Sequence, residues 1–383
     1  MANSARIGGV DFARGVVLVV IMIDHVPGNI LENLTPRNFA LFDGAEAFVF
    51  LSGVSVGLAY YRRTLTSGLR SAARRCFSRA RRIYGIHIAL TICAAAIFGL
   101  CYWLSGAAPL IEDGGRAVVF HQPAQAVIGV ALLTHQLGYF NILPLYVVLM
   151  AIAPLIFAAA RISLWLALLA AGGAYFAVKL FDFHLPSWPE SGGWFFNPLA
   201  WQLLFTLGVV AAIRWRDAPL RRSRALQAAC LALASAGAIV VANGLGLLPG
   251  LRDQVFAALD VGKQNLGAAR LVNFLAIAYL IAISPFLRRL AQTPPGLELQ
   301  RLGRHSLAVF ALSSLLSAVG QAAAATFSRV APEAEFVYTL ACIGALFALA
   351  RYLEWRRFLR GGEAAAGAEA PRFSPSSLSA SPP

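Results

Sequence analysis

The sequence predicts an all-α polytopic membrane protein of about ten transmembrane helices with both termini in the cytoplasm, and three observations carry that expectation. First, 58% of the 383 residues are hydrophobic and only 13% are charged, with a mean hydropathy of +0.67; soluble domains carry about a quarter charged residues. Second, apolar runs near the bilayer-spanning length of about 20 residues recur at 12–30, 44–61, 83–104, 141–160, 162–180, 198–214, 225–247, 267–287, 306–326 and 335–353. Third, the arginines cluster at every second loop. Eight stand between Arg62 and Arg82, and others follow the fourth, sixth, eighth and tenth runs at Arg161, Arg214–Arg224, Arg288–Arg304 and Arg351–Arg360. The positive-inside rule therefore places both termini in the cytoplasm. The alternate loops hold acids instead, among them Glu32, Asp43, Asp182 and Glu190. Backbone in lipid must satisfy its own hydrogen bonds, and no strand-like alternation suggests a barrel. The net charge of +14 follows from these loops and needs no nucleic-acid partner.

Residues 1–360 read as one membrane-embedded domain. From about Gly361 the chain turns to Gly, Ala, Glu, Ser and Pro without hydrophobic period, which predicts a disordered cytoplasmic tail over 361–383. The first run lacks a small-residue cleavage site and reads as a retained helix, not a signal peptide. Five cysteines show neither metal nor disulfide spacing and read as packing residues, so no metal is expected.

Within the first run, Arg14 lies near the start and Asp24-His25 near the far end. Ionisable groups in apolar spans usually have a function. At 100° and 1.5 Å per residue, Arg14 and His25 share a face about 16 Å apart. A polar line ending in the side chain best suited to proton transfer near neutral pH points to chemistry. The second run opens with Asp43 and Glu46 one turn apart, and the short connection brings them toward His25. Glu46 is the expected orienting partner of the imidazole, since Asp24 is adjacent in sequence and points away. Gly53 and Gly57 have the spacing of close helix approach, which would help fix that geometry. A purely structural hydrogen-bond network of His25, Asp24 and Glu46 is the competing account.

At the cytoplasmic start of the third run, Arg79 and Arg82 project from one face at i, i+3. Paired guanidiniums suit phosphate oxygens, so Arg14, Arg79 and Arg82 are expected to hold an anionic cofactor; topology alone would also require arginines here. The 121–146 segment, with His121, His135 and Tyr139, is expected to fold partly into the cavity. Between the fifth and sixth runs, Trp188, Trp194 and Trp201 lie among Phe, Asn and Gln. They could stack on sugar rings or form an interfacial belt. Lys263 and Arg270 are cations on the acidic side and could meet an acidic acyl group or acceptor, as could Asp43 at the same entrance.

These residues resemble the acyltransferase-3 superfamily, most closely its OpgC-type members, over nearly the whole ten-helix region. The resemblance rests on Asp11–Gly15, Asp24–Asn29, Leu34–Phe39, Ala45–Gly53, Arg79-x-x-Arg82-Ile83, Asn141–Tyr146, Asn197–Gln202 and Leu302–Leu307. One departure stands out: where the superfamily often has a second histidine after the late segment, this chain reads Ala311-Leu312-Ser313-Ser314. The resemblance implies an O-acyltransferase of the bacterial inner membrane. It would move a succinyl group from cytoplasmic succinyl-CoA, a donor substrate and not a permanently bound cofactor, to hydroxyls of osmoregulated periplasmic glucans. The implied partners are the acyl-CoA, the glucan, the lipid bilayer and the glucan synthesis machinery. Acetyl transfer to another envelope polysaccharide is the nearest alternative. A secondary transporter is a more distant one, disfavoured because the two halves of the chain show no repeat.

Overall fold

The computed structural model describes residues 2–217, 220, 222–244, 246–327 and 331–368. Among these the ordered elements are helical, apart from one isolated bridge between Pro186 and Gly193. The bundle is built from α1 (Ala2–Asp24), α2 (Gly44–Val56), α3 (Gly68–Ser105), α4 (Ile142–Ile162), α5 (Leu164–Phe181), α6 (Pro198–Asp217), α7 (Arg224–Val241), α8 (Ala268–Ile283), α9 (Pro294–Arg304), α10 (Ser306–Thr326) and α11 (Pro332–Ala368). Eight spans among the described residues are long and apolar enough to cross a membrane, α2 doing so with its continuation to Thr66. The other two expected runs fall on α1, which carries Asp11 and Arg14, and on α8, which is only 16 residues long. The protein is a multi-pass membrane protein. Arg221 and residues 369–383 of the expected tail lie outside the described residues, and α11 extends to Ala368.

Local signals set the helix ends. The helix α1 stops at Asp24, earlier than the apolar run suggests, because Pro27 has no N–H to continue the ladder and Gly28 turns the chain at φ +76°. Asp43 caps α2 by accepting from Ala45 N at 2.9 Å, while Glu46 accepts from Asp43 N at 3.0 Å, a reciprocal capping box. A π-helical stretch, Gly57–Tyr61, carries α2 onward to Arg62–Thr66. The 38 residues of α3 make it roughly 57 Å long, well beyond a hydrocarbon core of about 30 Å. Its arginine-rich first third therefore projects from the bilayer.

Packing follows the small residues. A Cβ on Gly53 would lie 2.0 Å from Phe205 O, and one on Gly208 would lie 2.2 Å from Phe50 O, so α2 and α6 cross in backbone contact. Close approach through Gly53 and Gly57 is found, but against α6 and not against the first helix, because α6 supplies the matching Gly208. A second crossing joins α1 to α9: a Cβ on Gly15 would meet Leu299 O at 2.0 Å, and one on Gly303 would meet Asp11 O at 1.9 Å. Leu18, Met22, Val49, Leu145, Phe157, Trp201 and Phe205 fill the interior. The outward faces of α3, α5 and α11 expose Ile92, Leu169 and Val337, the surface expected of helices facing lipid.

Candidate active site

His25 sits one residue beyond α1, in a turn held by its N–H to Met22 O at 3.4 Å. Its Nδ1 lies 2.6 Å from Ile21 O. A carbonyl oxygen only accepts, so Nδ1 carries the proton and Nε2 presents a lone pair. The ring packs edge-on to Tyr139 with centroids 4.6 Å apart, so the loop expected to fold into the cavity does reach the imidazole. Around it is a crevice lined by Ile21, Tyr139, Phe140, Phe310, Ser313, Ser314 and Ser317. The serines replacing the missing second histidine thus face His25. Ser313 donates to Met22 Sδ at 3.3 Å, and Gln321 Nε2 donates to the His25 carbonyl at 3.3 Å. Asp24 is separate from the ring. Its carboxylate reaches Thr35, its Oδ1 is buried without a partner among the described residues, and its carbonyl accepts from Arg37 at 3.4 Å.

Glu46 does not orient His25. It is fully buried, accepts from Arg270 Nε at 2.7 Å and holds the Asp43 amide. Asp43 in turn accepts from Lys263 Nζ at 2.6 Å and Arg270 Nη2 at 3.2 Å. The two carboxylates and two cations form one balanced cluster, because an isolated charge this deep would be costly. Burial opposes ionisation of Asp43, but Lys263 and Arg270 outweigh it and hold the carboxyl well below its usual range. Lys263 and Arg270 are consequently engaged by protein carboxylates, not free for an acidic acyl group. The sequence concealed this pairing, since Arg270 lies 224 positions from Glu46.

At the other end of α1, Arg14 Nη2 donates to Ser306 Oγ at the start of α10, and its Nε is buried without a partner among the described residues. Arg14 and Arg79 both lie within electrostatic reach of the Tyr146 hydroxyl, which donates to Phe48 O at 3.3 Å. Arg82 adjoins Arg79 on α3; Arg79 is half-buried and Arg82 exposed. Arg14 and Arg79 therefore lie near one level of the bundle, with Arg82 one turn further along α3. Tyr146 and Ser306 were quoted only as motif residues, and their place beside Arg14 is a finding of the fold.

The tryptophans divide. Trp201 is completely buried, with Nε1 donating to the carbonyls of Lys263 and Gln264 at 3.1 Å each, and Trp194 is only 4% exposed. Neither offers a ring face to a sugar, which corrects that expectation: the segment folds back over the start of α6, where the rings become core. Trp188 is 41% exposed and Phe195 48%, so the open aromatic surface lies there. Among the described residues no group of three or more His, Cys, Asp or Glu is placed to hold a metal ion.

A multi-pass helical bundle with clustered guanidiniums at one level and a lone-pair imidazole at another has the parts of a membrane-embedded group-transfer protein. The family model described as OpgC protein matches residues 6–358, and the chain belongs to that family. Membership supports a membrane acyltransferase role in glucan modification. No curated protein matches the chain, and no solved structure does.

Proposed function

We propose that the protein transfers a succinyl group from succinyl-CoA on the cytoplasmic face of the bacterial inner membrane to a hydroxyl of a periplasmic glucan, with His25 as general base. The observation that carries this reading is the Nδ1 contact of His25 to Ile21 O at 2.6 Å, which leaves Nε2 unprotonated on a ring that lines a small, largely enclosed crevice. Family membership and the gathering of Arg14, Arg79 and Arg82 support the donor side. In this reading the donor phosphates meet those arginines, and the thioester reaches the His25 level about 16 Å along α1.

Nε2 takes the acceptor hydroxyl proton as the oxygen attacks the thioester carbonyl. The tetrahedral intermediate collapses, the C–S bond breaks, and the departing thiolate takes the proton back from His25 to leave free CoA. Ile21 O holds Nδ1–H throughout and stabilises the imidazolium. Glu46, Asp43, Lys263 and Arg270 act one step away, fixing the ends of α2 and α8 beside the crevice. Trp188 and Phe195 supply the exposed rings for the acceptor.

The test is purified protein incubated with succinyl-CoA or acetyl-CoA and periplasmic glucan, following thiol release and glucan mass. A succinyl mass gain that falls at least 10²-fold in His25→Ala is the expected result. Wild-type turnover by a folded His25→Ala protein removes His25 from the chemistry, and a preference for acetyl-CoA replaces the donor.

A further inference from the structure

The helix α3 carries a second histidine that the chemistry above does not use. His87 is fully buried, and neither ring nitrogen has a hydrogen-bond partner among the described residues. One turn on, Thr91 is 5% exposed and its Oγ1 is equally unpartnered. Both belong to the inward stripe of α3 that also holds Ala80, Ile83 and Ala94, and α3 packs on α4 and α10. A buried imidazole and hydroxyl without partners are exceptions among folded proteins and call for an explanation.

Their depth says which part of a donor they could bind. From Arg79, His87 lies about 12 Å and Thr91 about 18 Å along α3. His25 lies about 16 Å from Arg14 along α1, and Arg14 and Arg79 both lie within electrostatic reach of the Tyr146 hydroxyl. The helix α10 bridges the two, bonding Arg14 at Ser306 and reaching the His25 crevice at Ser313 and Ser317. The Gly138–Phe140 turn, which brings Tyr139 to His25, also touches α3. By depth along α3, the orphan groups stand on the stretch between the arginine level and the imidazole level. A chain crossing it meets one donor and one acceptor on a neutral imidazole, then a hydroxyl that does either. Secondary amides, each with one N–H and one C=O, match that set, whereas a hydrocarbon chain leaves it unsatisfied.

We infer that His87 and Thr91 form a subsite for the amide-bearing arm of a thioester donor, positioning the thioester at His25. This rests on the donor reading above, and the subsite binds and orients the arm without joining the proton transfer. The probes are coenzyme A and adenosine 3′,5′-bisphosphate, which keeps the phosphates but lacks the arm, titrated by calorimetry into the detergent-solubilised full chain. His87→Leu is expected to weaken coenzyme A binding about tenfold, the weight of one or two buried hydrogen bonds, while the bisphosphate binds unchanged. Thr91→Val, a smaller change, is expected to weaken coenzyme A alone, and His87→Gln to restore part of its affinity. In turnover the loss falls on KM for the donor and not on KM for the acceptor. Equal loss for both probes, or none in either variant, overturns the subsite. If wild-type protein binds neither probe, the donor reading fails and the subsite with it; wild-type binding with unaltered variants sinks the subsite alone.

Discussion

At the level of single residues, the most consequential arrangement is the division of labour between two ionic sites close in sequence. His25 and Glu46 look like partners on paper, since a short loop separates them and an imidazole beside a carboxylate is a familiar catalytic pair. The fold instead gives His25 a backbone carbonyl, at Ile21, and gives Glu46 an arginine, at position 270. Sequence spacing could show that Glu46 needed a partner, but not that the partner lay on α8. Glu46→Ala leaves Arg270 with only Asp43 in a buried site and should cost about 3–5 kcal/mol. It is expected to lower the thermal midpoint in detergent strongly. The double change Glu46→Ala with Arg270→Leu should recover part of that loss; equal midpoints for the single and double variants would show that the charges are not coupled.

At the level of helices, glycine contacts decide which elements meet. The Gly53 spacing was legible as a close-approach signal, yet its partner depended on Gly208, which stands alone in α6 and carries no motif. Gly15 and Gly303 were likewise visible only as letters in longer motifs; the structure gives their reason, since each sits where α1 and α9 touch backbone to backbone. A methyl at Gly53 would stand 2.0 Å from a carbonyl oxygen, and overpacking of this kind costs about 1–3 kcal/mol. Gly53→Ala should therefore destabilise the protein despite the better helix propensity of alanine. Gly172→Ala on α5, where nothing lies within 4 Å, should stabilise it by about 0.5–1 kcal/mol. Melts of the two variants in the same detergent compare these effects directly, and shifts of the same sign would contradict the packing account.

For the molecule as a whole, composition alone announced a multi-pass helical bundle, and all ten apolar runs fall on helices. What composition could not announce was the inward folding of Tyr139 or the burial of Trp194 and Trp201, because aromatic residues are written the same way whether they face a ligand, lipid or core. Orientation rests on the arginine loops. Ser67→Cys, at the arginine-rich end, is expected to resist a membrane-impermeant maleimide added to intact cells and to label only after permeabilisation, whereas Ser191→Cys labels from outside. The reverse pattern would invert the assignment of donor and acceptor sides. The union of α1 with α9 and α10 also bears on biosynthesis. Arg14 meets Ser306 across 292 positions, so the first helix to leave the ribosome waits for nearly the last. At roughly 5–20 residues per second, that delay lasts on the order of tens of seconds. Until then the nascent chain holds Arg14 and Asp11 without their final neighbours, and a product truncated before α10 lacks both the Ser306 partner of Arg14 and the serine-lined wall of the His25 crevice.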